Sequence, residues 1–448
     1  MTVSRAVIRS LVVTGIVGAG LAAASLPPRI PADRVLLFEG ARLITGDGGL
    51  PIERSAFVVR GGAFAAVGRQ GEVKAPAGAI RVDLAGKTVI PALVDVHTHL
   101  GYRKGETFRV ENFTRDTILD EVERLAYYGI AAAASAGTDR GDETLRLRVE
   151  PHPGALVRTA WRGLAPPDAG PNPPMRDAPF GVSTEDEARR DVRELAARKA
   201  DFVKIWVDDR GGTVPKLSPL LYRAIIDEAH RTGLRVFAHI AALADAKDLL
   251  RAGVDGFLHA VRDRDVDDEL VGLFNAHREV FVTPTLFAAR LATYDSRPAW
   301  LDEPAIREAV PAGEIDRIAG SIASRRGQPI EAVREEWNRL ARNVAKLHAA
   351  GVTIALGTDV GGASAGGMFG WTEHVELEDL VAAGLTPGDA IVAATRAAAR
   401  ILRLDRLGTI ASGQSADFLV LNGNPLEHIA YTRRIARVYI RGDEVRRN

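Results

Sequence analysis

Two histidines separated by one residue, His97 and His99, follow a run of apolar residues in the first quarter of the chain. In a β-strand, successive side chains point to opposite faces, so both imidazoles would project one way and Thr98 the other. Two imidazoles side by side at a strand end can bind one divalent metal ion. The pair alone is weak evidence, but it gains weight because further potential ligands end later strand-like runs.

Four such residues have side chains that suit a metal site. His239 ends Arg-Val-Phe-Ala-His, and His259 ends Gly-Val-Asp-Gly-Phe-Leu-His. Lys204 lies within Asp-Phe-Val-Lys-Ile-Trp, and Asp359 ends Val-Thr-Ile-Ala-Leu-Gly-Thr-Asp. Each type also has a structural interpretation: a histidine that only packs, a lysine paired with an internal carboxylate, and an aspartate that caps the next helix. Their common place at strand ends favours one shared site.

The elements that would position these residues alternate between apolar runs and amphipathic stretches, which is typical of parallel strands joined by crossover helices. The eight predicted strands are one ending at His97, Gly129–Ser135, Ala155–Trp161, Asp201–Val207, Leu234–His239, Val254–His259, Val280–Pro284 and Val352–Asp359. The clearest predicted helices are Glu185–Lys199, Pro219–Thr232, Ala242–Ala252 and Val333–Ala350. This α/β pattern predicts a (β/α)8 TIM barrel, whose active site lies at the C-terminal ends of the strands.

The chain divides into a barrel domain over 89–404 and two flanking segments, 26–88 and 405–448. The flanking segments carry short alternating runs, such as Ser55–Arg60 and Ala416–Leu421, with glycine-rich turns in the first of them. Neither segment is long enough to form much of a core alone. We therefore expect them to pair into one small β-sandwich.

Residues 1–25 are typical of a secretory signal peptide. Arg5 and Arg9 lie among the first residues, and the apolar run Leu11–Leu21 leads to small residues at Ala22–Ala24. This pattern predicts export to the periplasm or the medium, with an uncleaved membrane anchor as the alternative. No later apolar stretch of the sequence is long enough to span a bilayer.

Composition narrows the classes of function. The 58 lysines and arginines balance 58 aspartates and glutamates, whereas nucleic-acid-binding proteins usually carry a basic surplus. There is no cysteine, so disulfides and thiolate metal ligands are excluded and a metal must be held by histidine, carboxylate or an equivalent group. We expect a small-molecule substrate, no nucleic-acid partner and no stable membrane insertion after signal removal; a homo-oligomer stays open.

These residues together resemble the amidohydrolase superfamily. The motifs that carry the resemblance are Pro91-Ala-Leu-Val-Asp-Val-His-Thr-His99, Leu377–Thr386, Thr395-Arg-Ala-Ala-Ala399 and Gly408–Asp417. The resemblance covers nearly the whole chain after the leader. Within the superfamily, the chain is similar to the imidazolonepropionase-related group, which includes metal-dependent Xaa-Pro dipeptidases.

The resemblance implies two divalent metal ions, with zinc as the default and cobalt, manganese or iron as alternatives. It implies that His97, His99 and Asp359 ligate the more buried ion. It also implies that His239 and His259 ligate the second ion.

The resemblance further assigns a bridge and a reaction. Lys204 matches a lysine that is carboxylated by carbon dioxide and bridges the two ions. The implied reaction is hydrolysis by a hydroxide that bridges the metals, with Asp359 taking the proton and delivering it to the leaving amine. We therefore expect an exported binuclear amidohydrolase that cleaves an amide bond in a small peptide-like or N-acyl amino-acid substrate.

Alternatives remain for both the chemistry and the substrate contacts. The same scaffold could act as a lactonase, a carbamate hydrolase or a phosphotriester hydrolase, or serve as a non-catalytic binding module. Candidate substrate-binding residues are Tyr102, Trp206, Asp208, Arg210 and Arg262. Tyr102 could donate to an oxyanion, and Arg262 could hold a carboxylate in a bidentate manner. A surface ion pair or a loop contact is the alternative for these positions.

Overall fold

The computed structural model describes residues 34–362 and 367–447, so the predicted signal peptide lies outside the described residues. In these two ranges, every helix is too short or too polar to cross a membrane. The strands are β1 Val35–Glu39, β2 Arg42–Leu43, β3 Ser55–Arg60, β4 Ala63–Arg69, β5 Ile80–Asp83, β6 Thr88–Pro91, β7 Leu93–Thr98, β8 Arg103–Lys104, β9 Thr107–Phe108, β10 Ile130–Ser135, β11 Leu156–Thr159, β12 Leu164–Ala165, β13 Phe180–Gly181, β14 Val203–Val207, β15 Val236–Ile240, β16 Gly256–Leu258, β17 Phe281–Thr283, β18 Thr353–Ile354, β19 Phe418–Leu421, β20 Ile435–Ile440 and β21 Asp443–Glu444. The α-helices are α1 Arg115–Tyr127, α2 Glu143–Leu147, α3 Glu185–Ala197, α4 Pro219–Arg231, α5 Leu243–Ala252, α6 Asp268–Ala276, α7 Leu286–Ala292, α8 Ala312–Ala323, α9 Glu331–Ala349, α10 Trp371–Ala382, α11 Pro387–Val392 and α12 Ala398–Ile401.

Parallel strands that alternate with helices make up most of the fold. A three-stranded sheet has the order β11-β10-β7, and a seven-stranded sheet has the order β13-β12-β14-β15-β16-β17-β18. The two sheets meet beyond the C-terminal ends of β7 and β18, where the Asp359 N–H donates to the His97 carbonyl at 2.7 Å. The fold is thus TIM-barrel-like and α/β, although the barrel-like strands form two sheets and not one closed sheet.

Seven of the eight predicted barrel strands lie within two residues of their expected ends, whereas the eighth is much shorter than expected. We predicted Val352–Asp359, but β18 comprises only Thr353–Ile354. Beyond it the backbone departs from a regular strand, and Gly357 lies so close to β17 that a Cβ atom would be 2.1 Å from Thr283 Cγ2. Asp359 itself has a φ of 56°, which lies in the left-handed region.

Local sequence explains where the predicted helices begin and end. The Thr184 side chain and Glu187 form a capping box at the start of α3, so two backbone N–H groups are satisfied there. Ser218 caps α4 and proline occupies its first turn. α5 ends at Gly253, whose φ of 91° favours glycine. All four predicted helices are confirmed within two residues at each end.

The two terminal segments pair with each other. Ala63 forms a β-bridge with Ser415, and β6, which crosses the predicted boundary at residue 88, is antiparallel to β19 within the five-stranded sheet β2-β6-β19-β20-β21. β4-β3-β1-β5 form a second sheet. Aromatic rings connect the sheets, since Phe38 of β1 lies 5.3 Å from Phe418 of β19 and 5.2 Å from Tyr439 of β20. The expected β-sandwich remains a prediction, but its two segments share this aromatic core.

The interior of the barrel-like part sets the direction of the site residues. Phe202, just before β14, stacks on Phe237 of β15 with ring centroids 4.6 Å apart, inside the ring of strands. Because side chains alternate along a strand, the residue two positions further on faces the same way. Lys204 follows Phe202 by two positions, and His239 follows Phe237 by two positions. Both side chains therefore face the interior, closer to the C-terminal ends of their strands.

Candidate active site

His97, His99 and Asp359 form a compact group where β7 ends. Asp359 Oδ1 lies 3.3 Å from His97 Nε2 and 3.0 Å from His99 Nε2. Both imidazoles are buried, whereas a quarter of the Asp359 side chain is exposed. The carboxylate therefore connects the two histidines to the open side of the site.

The second pair of histidines adjoins the first. The His259 ring lies 5.0 Å from the His97 ring and 4.4 Å from the His239 ring, between centroids. His259 has a φ of 101°, a backbone conformation that a residue with a Cβ rarely adopts. The fold around the end of β16 must hold it there, and strained backbone of this kind is concentrated at functional sites.

One set of potential ligand atoms already meets the spacing of a metal site. The ligand atoms of His97, His259 and Asp359 lie within 4.8 Å of one another. His239 lies beside this set, but its Nε2 atom is 3.1 Å from Asp208 Oδ2. The structure thus brings all four predicted histidines and Asp359 together, with His239 bonded to a second carboxylate.

Lys204 is fully buried among these groups. Its Nζ atom has no hydrogen-bond partner within the described residues and lies 5.2 Å from the centre of the Trp206 ring. Burial lowers the pKa of Lys204 to about 7, so a substantial fraction is a neutral amine near neutral pH. A neutral amine is the form that can react with carbon dioxide, and a buried amine without a partner is costly unless something else satisfies it.

The electrostatics of the histidines also suit metal ligands. Burial lowers the pKa of His97 and His259 well below the ordinary value, and that of His239 to about 4. These imidazoles are neutral at physiological pH, which is the form that binds metal ions. Burial opposes ionisation of Asp359, but contact with His97 and His99 outweighs it and lowers the carboxyl pKa below its usual range.

Polar residues that the sequence analysis missed hold the site residues in place. Asp95 accepts hydrogen bonds from the His97 N–H at 2.8 Å and the Thr358 hydroxyl at 2.6 Å, and so connects the two strand ends. Thr138 Oγ1 lies 2.7 Å from His99 Nδ1 and orients that ring. An aspartate in the middle of an apolar strand was a visible signal for Asp95, whereas nothing in the sequence distinguished Thr138.

Asp208 and Arg262 lie at the partly exposed side of the site. Besides contacting His239, Asp208 accepts a hydrogen bond from the Arg210 N–H at 2.9 Å. The contact with His239, and more weakly the nearby Arg262 guanidinium, lowers the pKa of Asp208 to about 2. Asp208 therefore carries a negative charge beside the site, and the positive charge of Arg262 lies close to both Asp208 and His239.

The other predicted substrate contacts occupy different surroundings. The buried Tyr102 hydroxyl donates to the Thr138 carbonyl at 2.5 Å, so its proton is already engaged and an oxyanion-donor role would require that bond to break. Trp206 is buried beside Lys204. Arg210 donates to the Gly170 carbonyl at 2.7 Å and thereby connects the loop after β14 to the loop after β12. The role of each in substrate binding stays a prediction.

Histidines outside the predicted pattern have other surroundings. His374 of α10 is buried, and its Nε2 lies 2.8 Å from the Tyr128 carbonyl oxygen. His230 pairs with Asp255 on the surface at 2.9 Å.

Comparison with known proteins agrees with this geometry. The family model described as "Amidohydrolase family" matches residues 88–445. An uncharacterized protein of Mycobacterium tuberculosis is 29% identical over 369 residues, which cover 80% of this chain and 85% of that protein. An imidazolonepropionase of Deinococcus radiodurans is 27% identical over 427 residues, covering 88% and 92%.

A solved structure shows the same fold. The crystal structure of a Xaa-Pro dipeptidase with bound methionine in its active site superposes with a TM-score of 0.71, covering 92% of this chain and 99% of that one at 22% identity. The family match spans most of the chain, including every predicted metal ligand. The chain therefore belongs to the amidohydrolase family and is a hydrolase of carbon–nitrogen bonds.

Proposed function

We propose that the chain is an exported, binuclear metal-dependent amidohydrolase that cleaves an amide bond in a small peptide-like or N-acyl amino-acid substrate. The observation that carries the proposal is the buried Lys204 amine, which lacks a hydrogen-bond partner in the described structure and lies close to three histidines and the Asp359 carboxylate. Such an amine fits a carbamate-forming lysine better than a structural cation, because no carboxylate hydrogen-bonds to it there.

The residues present fit two divalent ions. One ion would be held by His97, His99 and Asp359. The other ion would be held by His239 and His259, and a carboxylated Lys204 would bind both ions. His239 would have to exchange its contact with Asp208 for the ion. Bound zinc or a similar ion would make water more acidic and polarise the substrate carbonyl.

Asp359 is the chain's own proton carrier in this proposal. It is ionised, it is a quarter exposed, and it contacts both His97 and His99. It can therefore accept a proton from water at the open side of the site and deliver it to the leaving amine.

Charge at the open side favours a substrate with a free carboxylate. Arg262 lies beside Asp208 and His239, and its Nε atom is buried without a hydrogen-bond partner in the described structure. A guanidinium binds a carboxylate through two parallel hydrogen bonds. Dipeptides and N-acyl amino acids carry such a carboxylate next to the amide to be cleaved.

Metal analysis combined with a substrate panel tests the proposal. We expect about two equivalents of zinc or a similar metal in protein purified without chelator. We also expect turnover of dipeptides or N-acyl amino acids that stops when metal is removed. Preferred turnover of lactones, carbamates or phosphotriesters would favour the alternative chemistry. Absence of metal, even after addition of metal and bicarbonate, would contradict the binuclear site.

Export is tested separately by the N-terminus of the processed protein. When the full chain is expressed in a bacterial host, we expect the periplasmic or secreted form to begin close after Ala24. A full-length protein that stays in the membrane fraction would favour the anchor instead.

A further inference from the structure

A cavity lies at the face opposite the candidate active site. It has a volume of about 570 Å³ and opens at the N-terminal ends of β15, β17 and β18, whereas the histidines lie at the C-terminal ends. We call it the basal cavity. Its charged and aromatic lining includes Arg235, Arg278, Phe281, Arg396, Arg400 and Arg403.

The basal cavity is strongly basic in a chain whose net charge is zero. Five arginines line it, against two acidic residues, Glu279 and Asp389. Glu279 is already paired with Arg400 at 2.7 Å. Asp389 accepts a hydrogen bond from the Thr386 hydroxyl, and its Oδ2 atom lies 3.5 Å from His348 Nε2. Most of the positive charge is therefore not balanced from within the cavity.

Two of the arginine side chains have no hydrogen-bond or ion-pair partner in the described residues. In the part of the chain that the structure describes, neither Arg278 nor Arg403 makes a side-chain hydrogen bond or an ion pair. Arg396, by contrast, lies near Asp47, whose pKa it helps to lower. The charge without an ion pair is thus centred on the exposed Arg278 and Arg403, beside the half-buried Arg235, whose charge the nearby Asp255 partly offsets.

Arg235 shows how closely the positive charges approach. One of its terminal nitrogens donates to the Ile401 carbonyl, while its Nε atom is buried without a partner in the described residues. Burial, together with the nearby charge of Arg403, lowers the pKa of Arg235 to about 10. The contact with the Ile401 carbonyl is explained by capping of the C-terminal end of α12. Capping does not explain why the Arg403 guanidinium lies close to Arg235.

The walls of the basal cavity add a different chemistry. The partly exposed Val392 and Ala397 give it an apolar surface beside the guanidinium groups, above the buried Phe281, Ile354 and Leu385. A cavity of this size matches drug-sized or cofactor-sized ligands and exceeds the needs of a simple anion. Guanidinium forks bind phosphate oxygens in pairs, more specifically than an ammonium does.

We propose that the basal cavity is a binding site for an organic phosphate of about nucleotide size, with the phosphates between Arg235, Arg278 and Arg403 and the organic part on the apolar wall. This site is separate from the hydrolytic centre and does not depend on the function proposed for it.

Isothermal titration calorimetry of the full, metal-loaded protein tests the proposal, with ATP, inorganic triphosphate and adenosine as probes at about 0.15 M salt. ATP should bind, and triphosphate should bind more weakly because it lacks the apolar part. The double variant Arg278→Gln with Arg403→Gln should weaken ATP binding about 100-fold, since each lost charged contact contributes roughly tenfold.

The matched control removes two exposed arginines elsewhere, Arg60→Gln with Arg326→Gln, and should leave ATP affinity and hydrolytic activity unchanged. Equal weakening in the control would show nonspecific charge attraction and overturn the proposal. So would ATP binding that survives the basal double variant, because the nucleotide would then bind at the metal centre. Absence of ATP binding, including the case where only duplex DNA or anionic vesicles bind, would also overturn it.

Discussion

Replacing Gly362 with alanine would place a methyl group against the candidate active site. A Cβ atom at this position would lie 2.3 Å from Asp359 Oδ1 and 2.7 Å from His99 Cδ2. Ordinary van der Waals contact begins near 3.4 Å, so the carboxylate or the backbone must move by about 1 Å. Asp359 has little freedom to move, because two histidines contact the same oxygen.

The expected effect on catalysis and metal affinity is larger than the effect on stability. A displacement of about 1 Å at a reacting group can cost about 100-fold in rate, so we expect kcat/KM to fall by about that factor. Gly362 does not have a positive φ, so alanine fits the backbone, but the overlap with Asp359 and His99 should lower the free energy of unfolding by about 1–3 kcal/mol.

Steady-state kinetics and chelator competition measure these two effects, and urea unfolding measures stability. Gly320→Ala in α8 is the matched control, because a Cβ atom there meets nothing within 4 Å. The control should keep wild-type kinetics. Wild-type kcat/KM and metal affinity in Gly362→Ala would refute the inferred packing of this glycine against Asp359.

Three further variants address other parts of the site and its support. Asp359→Asn should lower kcat about 1000-fold, the scale of a general acid–base contribution, while elemental analysis still finds much of the metal; full activity would exclude its proton-transfer role. Lys204→Ala should lose bound metal and recover part of it with short-chain acids, whereas unchanged metal content would remove the lysine bridge. Glu376 accepts hydrogen bonds from the Leu286 and Phe287 N–H groups, but burial raises its carboxyl pKa to about 8. The native state therefore retains a proton that the unfolded state releases near pH 4.5. Relative to Glu376→Gln, the wild type should therefore lose stability as pH rises from about 4.5 to 8 in urea unfolding; a pH-independent difference would contradict the raised pKa.

The positions of the site residues could be predicted because strand geometry is local. Lys204 and His239 lie two positions after the apolar residues Phe202 and Phe237. Because side chains alternate along a strand, they face the interior like those two residues. The four helices were predictable for a similar reason, since caps such as Thr184 and the helical period lie within a few residues of each other.

Contacts between distant segments could not be predicted in this way. The pairing of Asp208 with His239 depends on how the loop after β14 turns back, and the alternation of a strand does not determine that. The close approach of Gly357 to Thr283 of β17, just beyond the early end of β18, is likewise a contact between distant segments. Tyr102 was a plausible substrate contact by position, but its hydroxyl direction is set by the Thr138 carbonyl 36 residues later.

The pairing of β6 with β19 has a consequence for the synthesis of the chain. About 330 residues separate the two strands, and at ribosomal rates of about 5–20 residues per second β19 follows β6 by tens of seconds. Through that interval one edge of β6 has no partner strand from the C-terminal segment. Because open strand edges promote association between chains, nascent copies are most vulnerable to aggregation before residue 418 emerges.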